Sequence, residues 1–351
     1  MYIYILLTVF IIIFGNIFEK KHKKIYAFMV FIIFTLIAGL RHYTIGCDTE
    51  TYINIFNRIA YSGIYYSSWL EPGWVYLNYF VSLISINSTF FLIIIAMVIN
   101  GGICYFIYKY SDNMCESFLL IIFSRIFFNE MNIIRQYFSN AIILFGIKYI
   151  QDKKFIKYGL CVAIATLIHT SSCILIVLYF IRKTKFNRKQ KFFIIIGTLI
   201  AYVSLYNILI GITSGLNIYE EYVEKRFGSN NLASIIEFFT ALLVWWSVEV
   251  IRKKNEVFQN NYIDNLFYNI VILYVALSLL AIRINIFGRA ILFFKIVSLV
   301  TLSNYMNKIK NKNNRLLFKT LVFSLYGISM LVVMRYRPEW YDVVPYKFFW
   351  N

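Results

Sequence analysis

The sequence predicts an all-α, polytopic integral membrane protein. Of its 351 residues, 60% are hydrophobic and only 15% are charged, whereas soluble globular domains have about 25% charged residues. The mean hydropathy is +0.67, and the chain contains 34 Phe and 29 Tyr but only three Pro. Because one membrane-spanning helix takes about 20 apolar residues, and apolar segments fill most of the length, we expect about 12 crossings, within a range of about 10–14. No room remains for a soluble domain, so residues 1–351 are predicted to form a single multi-pass domain.

The net charge of +18 comes mainly from the connections between apolar segments. Most of the 35 Lys and Arg lie in five short runs, which begin at Lys20, Lys148, Arg182, Arg252 and Lys308. Cytoplasmic loops of membrane proteins carry such an excess of Lys and Arg, so the runs predict the orientation of the chain. Basic stretches interleaved with aromatic residues outside a helix are missing, which argues against a nucleic-acid partner. The expected contact of these runs is with membrane lipid.

The first two apolar segments set the topology. Segment 2–18 has no basic residue before it, is followed by Lys-rich sequence and lacks a small-residue cleavage site, so it is predicted to be a membrane helix rather than a cleaved signal peptide. The run at Lys20 then lies in the cytoplasm, and a second helix at about 25–40 returns to the outside. An external loop, residues 41–72, follows.

The middle of the chain contains one ambiguous region and two predicted hairpins. Residues 73–108 must cross an odd number of times if Lys109 is cytoplasmic, and 73–86 is short for a crossing. Residues 116–150 are interrupted by a polar run. Residues 158–181 are flanked by Lys on both sides, with His169 near the centre. Two short helices that turn at His169 satisfy the positive-inside pattern, whereas one long helix violates it.

Helices are predicted for the rest of the chain at about 192–211, 236–251, 264–282, 290–306 and 316–334. The segments between them alternate between the two sides of the membrane. The external segments are then 212–235, 283–289 and 335–351.

Several Lys and Arg outside the five runs do not follow the inside rule, and four of them carry the argument, namely Arg125, Arg135, Arg283 and Arg289. An Arg at depth in a membrane costs at least about 2.5 kcal/mol on insertion scales, so such residues face a wet cavity or an anionic partner. For any one of them, pairing with Glu130 or with backbone carbonyls, or snorkelling to the interface, is the alternative. A guanidinium matches phosphate oxygens and stays charged. Several converging arginines therefore predict a metal-free clamp for the diphosphate of a polyprenyl lipid.

Arg135 begins a helix with polar residues along one side. Asn132, Gln136, Ser139 and Asn140 recur at spacings of three and four residues, which places them on one face. We expect that face to line a hydrated pocket.

Candidate acid–base groups lie in the first external loop and at the turn near His169. His169 fits a general base or a phosphate donor, but a histidine among small hydroxylated residues also serves in helix packing. The loop contains the pattern R-x4-G-x-D-x3-Y, formed by Arg41, Gly46, Asp48 and Tyr52. Glu71 marks the return to the membrane. Such residues bind sugar hydroxyls or accept a proton, although ordinary external loops contain them too.

Motifs for nucleotides or metals are absent from the sequence. It has no D-x-D, no Walker loop, no G-x-G-x-x-G and no Cys/His cluster with ligand spacing. No cofactor is therefore expected. The five Cys include no C-x-x-C and predict no disulfide framework.

Taken in order, these motifs resemble the EpsG family of bacterial exopolysaccharide polymerases, relatives of the Wzy-type polymerases. The resemblance rests on GLRHYTIGCDTETY (39–52), EPGW (71–74), NIIRQ (132–136), LIHTSS (167–172) and RINIFGRAILFF (283–294). Cys47 departs from it, since a small residue such as Thr is expected there.

The resemblance implies a metal-independent membrane glycosyltransferase with a GT-C-like architecture. Such an enzyme joins undecaprenyl diphosphate-linked oligosaccharide repeat units into exopolysaccharide or capsule at the outer face of the bacterial cytoplasmic membrane. Undecaprenyl diphosphate is the leaving group, and a chain-length regulator and a flippase of the same pathway are the expected protein partners. The candidate catalytic residues are Asp48, Glu71, His169 and Arg135, and the candidate substrate-binding residues are Arg41, Tyr52, Asn132, Gln136, Arg283 and Arg289.

The roles within this set are only partly separated by the sequence. Arg135, Arg283 and Arg289 are the expected clamp, because preorganised charge stabilises a leaving diphosphate. One of Asp48, Glu71 and His169 activates the acceptor hydroxyl, and the sequence does not choose among them.

Two other functions fit part of the pattern. A flippase for lipid-linked oligosaccharides also needs a cationic cavity, but its charges would line a central path, whereas the arginines here gather on one side. A membrane acyltransferase that uses His169 would need a conduit from the cytoplasm.

Overall fold

The computed structural model describes residues 1–64, 70–184, 186–214, 232–254, 262–284 and 286–351. Over these residues the chain is helical without a named β-strand, as predicted, and Arg41 and Phe348 form an isolated antiparallel bridge. The fold divides into two compact units, of which the first contains Met1–Tyr179 and Ile309–Asn351 and the second contains Phe180–Lys308. The single domain, the number of crossings and the GT-C-like architecture stay predictions.

The helices occur in the following order, with one 3-10 helix after α9. They are α1 (Tyr2–Phe18), α2 (Lys23–Gly39), α3 (Thr49–Ser62), α4 (Pro72–Ile84), α5 (Ser88–Tyr110), α6 (Met114–Phe123), α7 (Ile126–Asn129), α8 (Ile134–Gln151), α9 (Phe155–Ile168), the 3-10 helix (Thr170–Ile176), α10 (Val177–Ile181), α11 (Arg188–Ser214), α12 (Leu232–Lys253), α13 (Tyr262–Arg283), α14 (Ile286–Asn307) and α15 (Lys312–Tyr336). A last 3-10 turn covers Pro338–Trp340.

Five of the described helices are long and apolar enough to cross a membrane, namely α5, α12, α13, α14 and α15. Helices α1, α6 and α9 and the segment Thr170–Ile181 are apolar but shorter. The five helices predicted after residue 190 correspond to α11–α15. Of the predicted external segment 212–235, residues 215–231 lie outside the described residues. Helices α13 and α14 take up most of the segment 283–289, because one ends at Arg283 and the other begins at Ile286.

Helix lengths favour one crossing in the ambiguous region 73–108. Helix α4 has 13 residues and is therefore about 20 Å long, which is less than the roughly 30 Å of a hydrocarbon core. Helix α5 has 23 residues. One helix long enough to cross agrees with the odd number expected if Lys109 is cytoplasmic, and the number of crossings stays a prediction.

Helix α5 packs tightly against α2 and α8 in the first unit. A Cβ atom at Gly39 of α2 would lie 2.9 Å from the Cα atom of Ile93, and one at Gly102 would lie 2.5 Å from the Cβ atom of Ala141 in α8. Only glycine permits these backbones to approach so closely. This packing fixes α8, whose first turn carries Arg135.

The predicted external loop 41–72 contains a helix that was not predicted from the sequence, α3. Its apolar residues Tyr52, Ile55, Phe56 and Ile59 are buried, and they recur at the i, i+3, i+4, i+7 spacing of a helix face. The polar composition of the whole loop concealed this pattern. Residues 65–69 of the loop lie outside the described residues.

The predicted turn at His169 is confirmed. Helix α9 ends immediately before His169, whose backbone is extended (φ −153°, ψ 112°), and the 3-10 helix follows it. The second arm packs back on the first, since the Tyr158 hydroxyl donates to the Leu175 carbonyl at 2.6 Å and the Tyr158 ring stacks on Tyr179 at 6.2 Å. Two short arms therefore replace one long helix.

Candidate functional site

Glu71 lies at the centre of a polar cluster in the first unit. The residue is the N-cap of α4, and its Oε2 atom forms an ion pair with Nη1 of Arg135. Its Oε1 atom lies 3.1 Å from Nδ1 of His169 and accepts hydrogen bonds from the Thr170 backbone N–H (3.2 Å) and hydroxyl (3.3 Å). The side chains of Glu71, Arg135 and His169 are 12–14% exposed. Three of the predicted catalytic residues are thus in direct contact.

Local sequence explains how α4 brings Glu71 to this place. Pro72 occupies the first helical position, where its missing N–H has no helical partner to lose. A Cβ atom at Gly73 would lie only 2.6 Å from the carbonyl oxygen of Leu167. Glycine therefore lets the first turn of α4 lie against the end of α9, next to His169.

The environment of Glu71 keeps its carboxylate ionised. Burial by itself raises the pKa of Glu71, but the hydrogen bond from His169, the charge of Arg135 and the backbone N–H of Thr170 together lower it to about 2. A carboxylate with so low a pKa is a poor base at neutral pH. It can instead accept a proton from Nδ1 of His169, in the tautomer that leaves a lone pair on Nε2.

The polar face of α8 is buried against protein rather than lining a hydrated pocket. Asn132, Gln136, Ser139 and Asn140 are each no more than 4% exposed. The Gln136 side-chain oxygen accepts from the Ser171 hydroxyl at 3.3 Å, and the Ser139 hydroxyl accepts from that of Ser172 at 2.8 Å. The structure differs from the prediction because the second arm of the hairpin covers Gln136 and Ser139, while Asn132 contacts the Tyr341 carbonyl and the Cys47 N–H.

Arg41 is buried at the end of α2, with 3% of its surface exposed. Its guanidinium donates to the carbonyl of Ala38, to the carbonyl of Met131 at 3.2 Å and to the hydroxyl of Thr49 at 3.2 Å. These contacts fix the start of the loop against the segment that precedes α8. The predicted role of Arg41 in substrate binding stays a prediction.

Asp48 and Tyr52 lie at the start of α3. Asp48 is the half-buried N-cap residue, and the Tyr52 ring packs edge-on against the ring of Trp74 at 5.8 Å. Just before them, Gly46 has a φ of +92°, and a Cβ atom there would lie 2.8 Å from the Thr49 hydroxyl. Trp74 lies one helical turn after Glu71, so α3 packs beside the Glu71 cluster.

The other predicted arginines have different surroundings. Arg125 has a left-handed backbone (φ +69°) between α6 and α7, and its buried side chain donates to the hydroxyls of Ser329 (2.8 Å) and Tyr341 (3.3 Å). In the second unit, Arg283 donates to the carbonyl of Tyr202 at 3.0 Å. Arg289 is half-buried in the first turn of α14. Convergence of Arg135, Arg283 and Arg289 on one ligand stays a prediction.

A family model described as the EpsG family matches residues 24–348. The chain belongs to the EpsG family. This family is associated with exopolysaccharide polymerases. No curated protein and no solved structure matches the chain. The family match spans the whole Glu71 cluster.

Two polar contacts in this EpsG protein were not predicted from the sequence. The first is the contact of Thr170 with Glu71. The LIHTSS motif places Thr170 at the predicted turn, but it does not indicate that Glu71 lies beside it. In the second unit, Lys295 forms a 2.7 Å ion pair with Glu237, which also accepts from the Tyr274 hydroxyl. The available signal was a lysine inside an otherwise apolar predicted helix, which is costly unless it is paired. In the described part of the chain, no three His, Cys, Asp or Glu side chains are grouped to hold a metal, and metal independence stays a prediction.

Proposed function

We propose that this EpsG-family protein polymerises undecaprenyl diphosphate-linked oligosaccharide repeat units into exopolysaccharide or capsule. The reaction takes place at the outer face of the bacterial cytoplasmic membrane, in a GT-C-like protein of about 12 crossings. Family membership supports polymer synthesis. The observation that carries the mechanism is the contact of Glu71 with both Arg135 and His169.

In this mechanism His169 is the general base. A hydroxyl of the incoming repeat unit attacks the anomeric carbon of the growing chain and forms the new glycosidic C–O bond. The hydroxyl proton passes to Nε2 of His169, while the C–O bond to the diphosphate breaks and its electron pair leaves with undecaprenyl diphosphate. Glu71 orients the imidazole and stabilises the imidazolium that forms. Its low pKa makes it suited to this role rather than to that of the base.

Positive charge supplies the remaining catalysis. Arg135 binds the diphosphate as its negative charge grows, and preorganised charge of this kind contributes several kcal/mol to a barrier. Arg283 and Arg289 keep the substrate-binding role that the sequence predicts. Neither nucleotide nor metal is needed, because the lipid-linked sugar is already activated. Asp48 binds sugar hydroxyls beside the cluster. The buried side chains of Arg41, Tyr52, Asn132 and Gln136 shape the substrate-binding site through their contacts with protein. Membrane lipid surrounds the protein, and a chain-length regulator and a flippase act with it.

The test is polymer synthesis by purified protein in nanodiscs that contain the lipid-linked repeat unit and a metal chelator. We expect a ladder that rises in whole repeat units, with release of undecaprenyl diphosphate. His169→Ala should abolish the ladder, whereas the matched variant His22→Ala, at an exposed position before α2, should leave it unchanged. Unchanged substrate from folded wild-type protein that binds it would contradict the proposal and favour a flippase, which a liposome translocation assay would detect.

A further inference from the structure

The C-terminal tail, residues 338–351, lies on the segment 40–48 that leads from α2 to α3. Three main-chain hydrogen bonds join them. His42 N–H donates to the carbonyl of Lys347 (3.0 Å), Phe349 N–H to the carbonyl of Leu40 (2.9 Å), and Gly46 N–H to the carbonyl of Asp342 (2.8 Å). The tail thus pairs with residues some 300 positions earlier in the chain.

Side chains from three other elements hold the tail in place. The Tyr4 hydroxyl of α1 donates to the carbonyl of Val343 at 2.9 Å, and Val343 is fully buried. Tyr341 receives two contacts, since Asn132 Nδ2 donates to its carbonyl at 3.1 Å and Arg125 Nε to its hydroxyl at 3.3 Å. The tail is therefore an ordered part of the first unit.

Asn132 connects the tail to the candidate site. Its amide group donates to Tyr341 through Nδ2 and accepts from the backbone N–H of Cys47 through Oδ1. Cys47 immediately precedes Asp48, and Asn132 lies three residues before Arg135. One side chain therefore bridges the tail, the start of α3 and the start of α8.

We propose that the C-terminal tail is a positioning element of the polymerase site, which holds Asp48 and Asn132 in the geometry that the reaction needs. This inference rests on the proposed function. Its most sensitive point is Asp342, whose carbonyl accepts from Gly46 and whose backbone is left-handed, with a φ of +47°. Asn adopts that conformation readily, whereas a β-branched residue is strained there.

Two substitutions separate the backbone of Asp342 from its carboxylate. Asp342→Asn and Asp342→Val both remove the charge, but only Val opposes the left-handed backbone. Glu339→Gln is the matched control, because this exposed side chain forms a long ion pair, at 3.5 Å, with half-exposed Arg337. Peptide-resolved amide hydrogen exchange of 40–48 reports tail docking independently of activity, and the peptides of α5 report whether the fold is intact.

In Asp342→Val we expect exchange in 40–48 about tenfold faster than in Asp342→Asn, with α5 unchanged and polymer synthesis reduced by a similar factor. Asp342→Asn and Glu339→Gln should match the wild type. Equal loss of synthesis in both Asp342 variants would overturn the inference in favour of a carboxylate role. Normal synthesis by Asp342→Val, or unchanged exchange, would also overturn it. A wild type that makes no polymer overturns the proposed function and this inference with it, while the exchange data still show whether the tail holds 40–48.

Discussion

Replacement of Glu71 by Gln tests the central ion pair, because it keeps the shape of the side chain and removes its charge. The surroundings lower the pKa of Glu71 from 4.5 to about 2. A shift of this size favours the charged form by about 3 kcal/mol. The side chain is 14% exposed, so solvent screens a small part of this interaction. We therefore expect Glu71→Gln to reduce the free energy of unfolding by about 2–3 kcal/mol. Arg135→Gln should cost a similar amount for the same reason.

The measurement is a double-mutant cycle at pH 7, with equilibrium unfolding of wild type, both single variants and the double variant in mixed micelles. The double variant leaves no uncompensated charge, so we expect a coupling energy of about 2 kcal/mol between the two positions. Polymer synthesis should be lost in all three variants, because restored stability does not restore the chemistry. Loss of activity and loss of stability are thereby separated.

The matched control is the ion pair of Asp152 with Lys154, whose atoms are 3.6 Å apart and whose side chains are about half exposed. Asp152→Asn combined with Lys154→Gln should give a coupling energy below about 0.5 kcal/mol, as is usual for exposed pairs. A coupling equally small for Glu71 and Arg135 would refute the argument that this pair holds the site together.

Three further predictions concern the same cluster. Gly73→Ala should lower the free energy of unfolding by about 1–3 kcal/mol, because its Cβ atom meets the end of α9. Gly159→Ala is the control and should be neutral or stabilising, since a Cβ atom there meets nothing within 4 Å. Thermal unfolding of both variants measures the difference. Arg135→Lys should slow polymer synthesis by at least about tenfold, because Lys lacks the planar fork that binds phosphate oxygens, while exposed Arg58→Lys should not alter the rate. The contribution of Glu71 to stability should be complete above pH 4.5, its unfolded pKa, and should fall as the pH drops towards about 2. The difference in melting temperature between wild type and Glu71→Gln should therefore shrink over that pH window. A constant difference would show that ionisation of Glu71 is not its source.

The turn at His169 could be predicted because its signals are local. Lysines flank residues 158–181 on both sides and polar residues lie at the centre, so charge and helix length together required a turn. The contact of His169 with Glu71 could not be predicted in the same way. It depends on the close approach of α4 and α9 at Gly73, and a single glycine in a sequence does not indicate which backbone it will meet.

The burial of Arg41 and the docking of the tail were not predicted either. Both depend on partners far along the chain, since Arg41 donates to Met131 and the tail pairs with residues 40–46. Neither contact leaves a periodic pattern in the sequence. The sequence predicted 335–351 as an external segment, but it did not indicate the surface to which that segment binds.

The shortness of α9 has a consequence for the depth of the reaction centre. Fourteen residues give a helix about 21 Å long. If α9 starts with Lys154 at one boundary of a hydrocarbon core about 30 Å thick, its other end lies about 9 Å below the opposite boundary. If α9 enters the membrane in this way, as the basic runs predict, His169 lies beneath the plane of the lipid headgroups, and the bilayer around it would thin or let water descend to it. A diphosphate lipid would have to sink below its neighbours to react. Under the proposed function, the rate of polymer growth should then depend on the thickness of the host membrane.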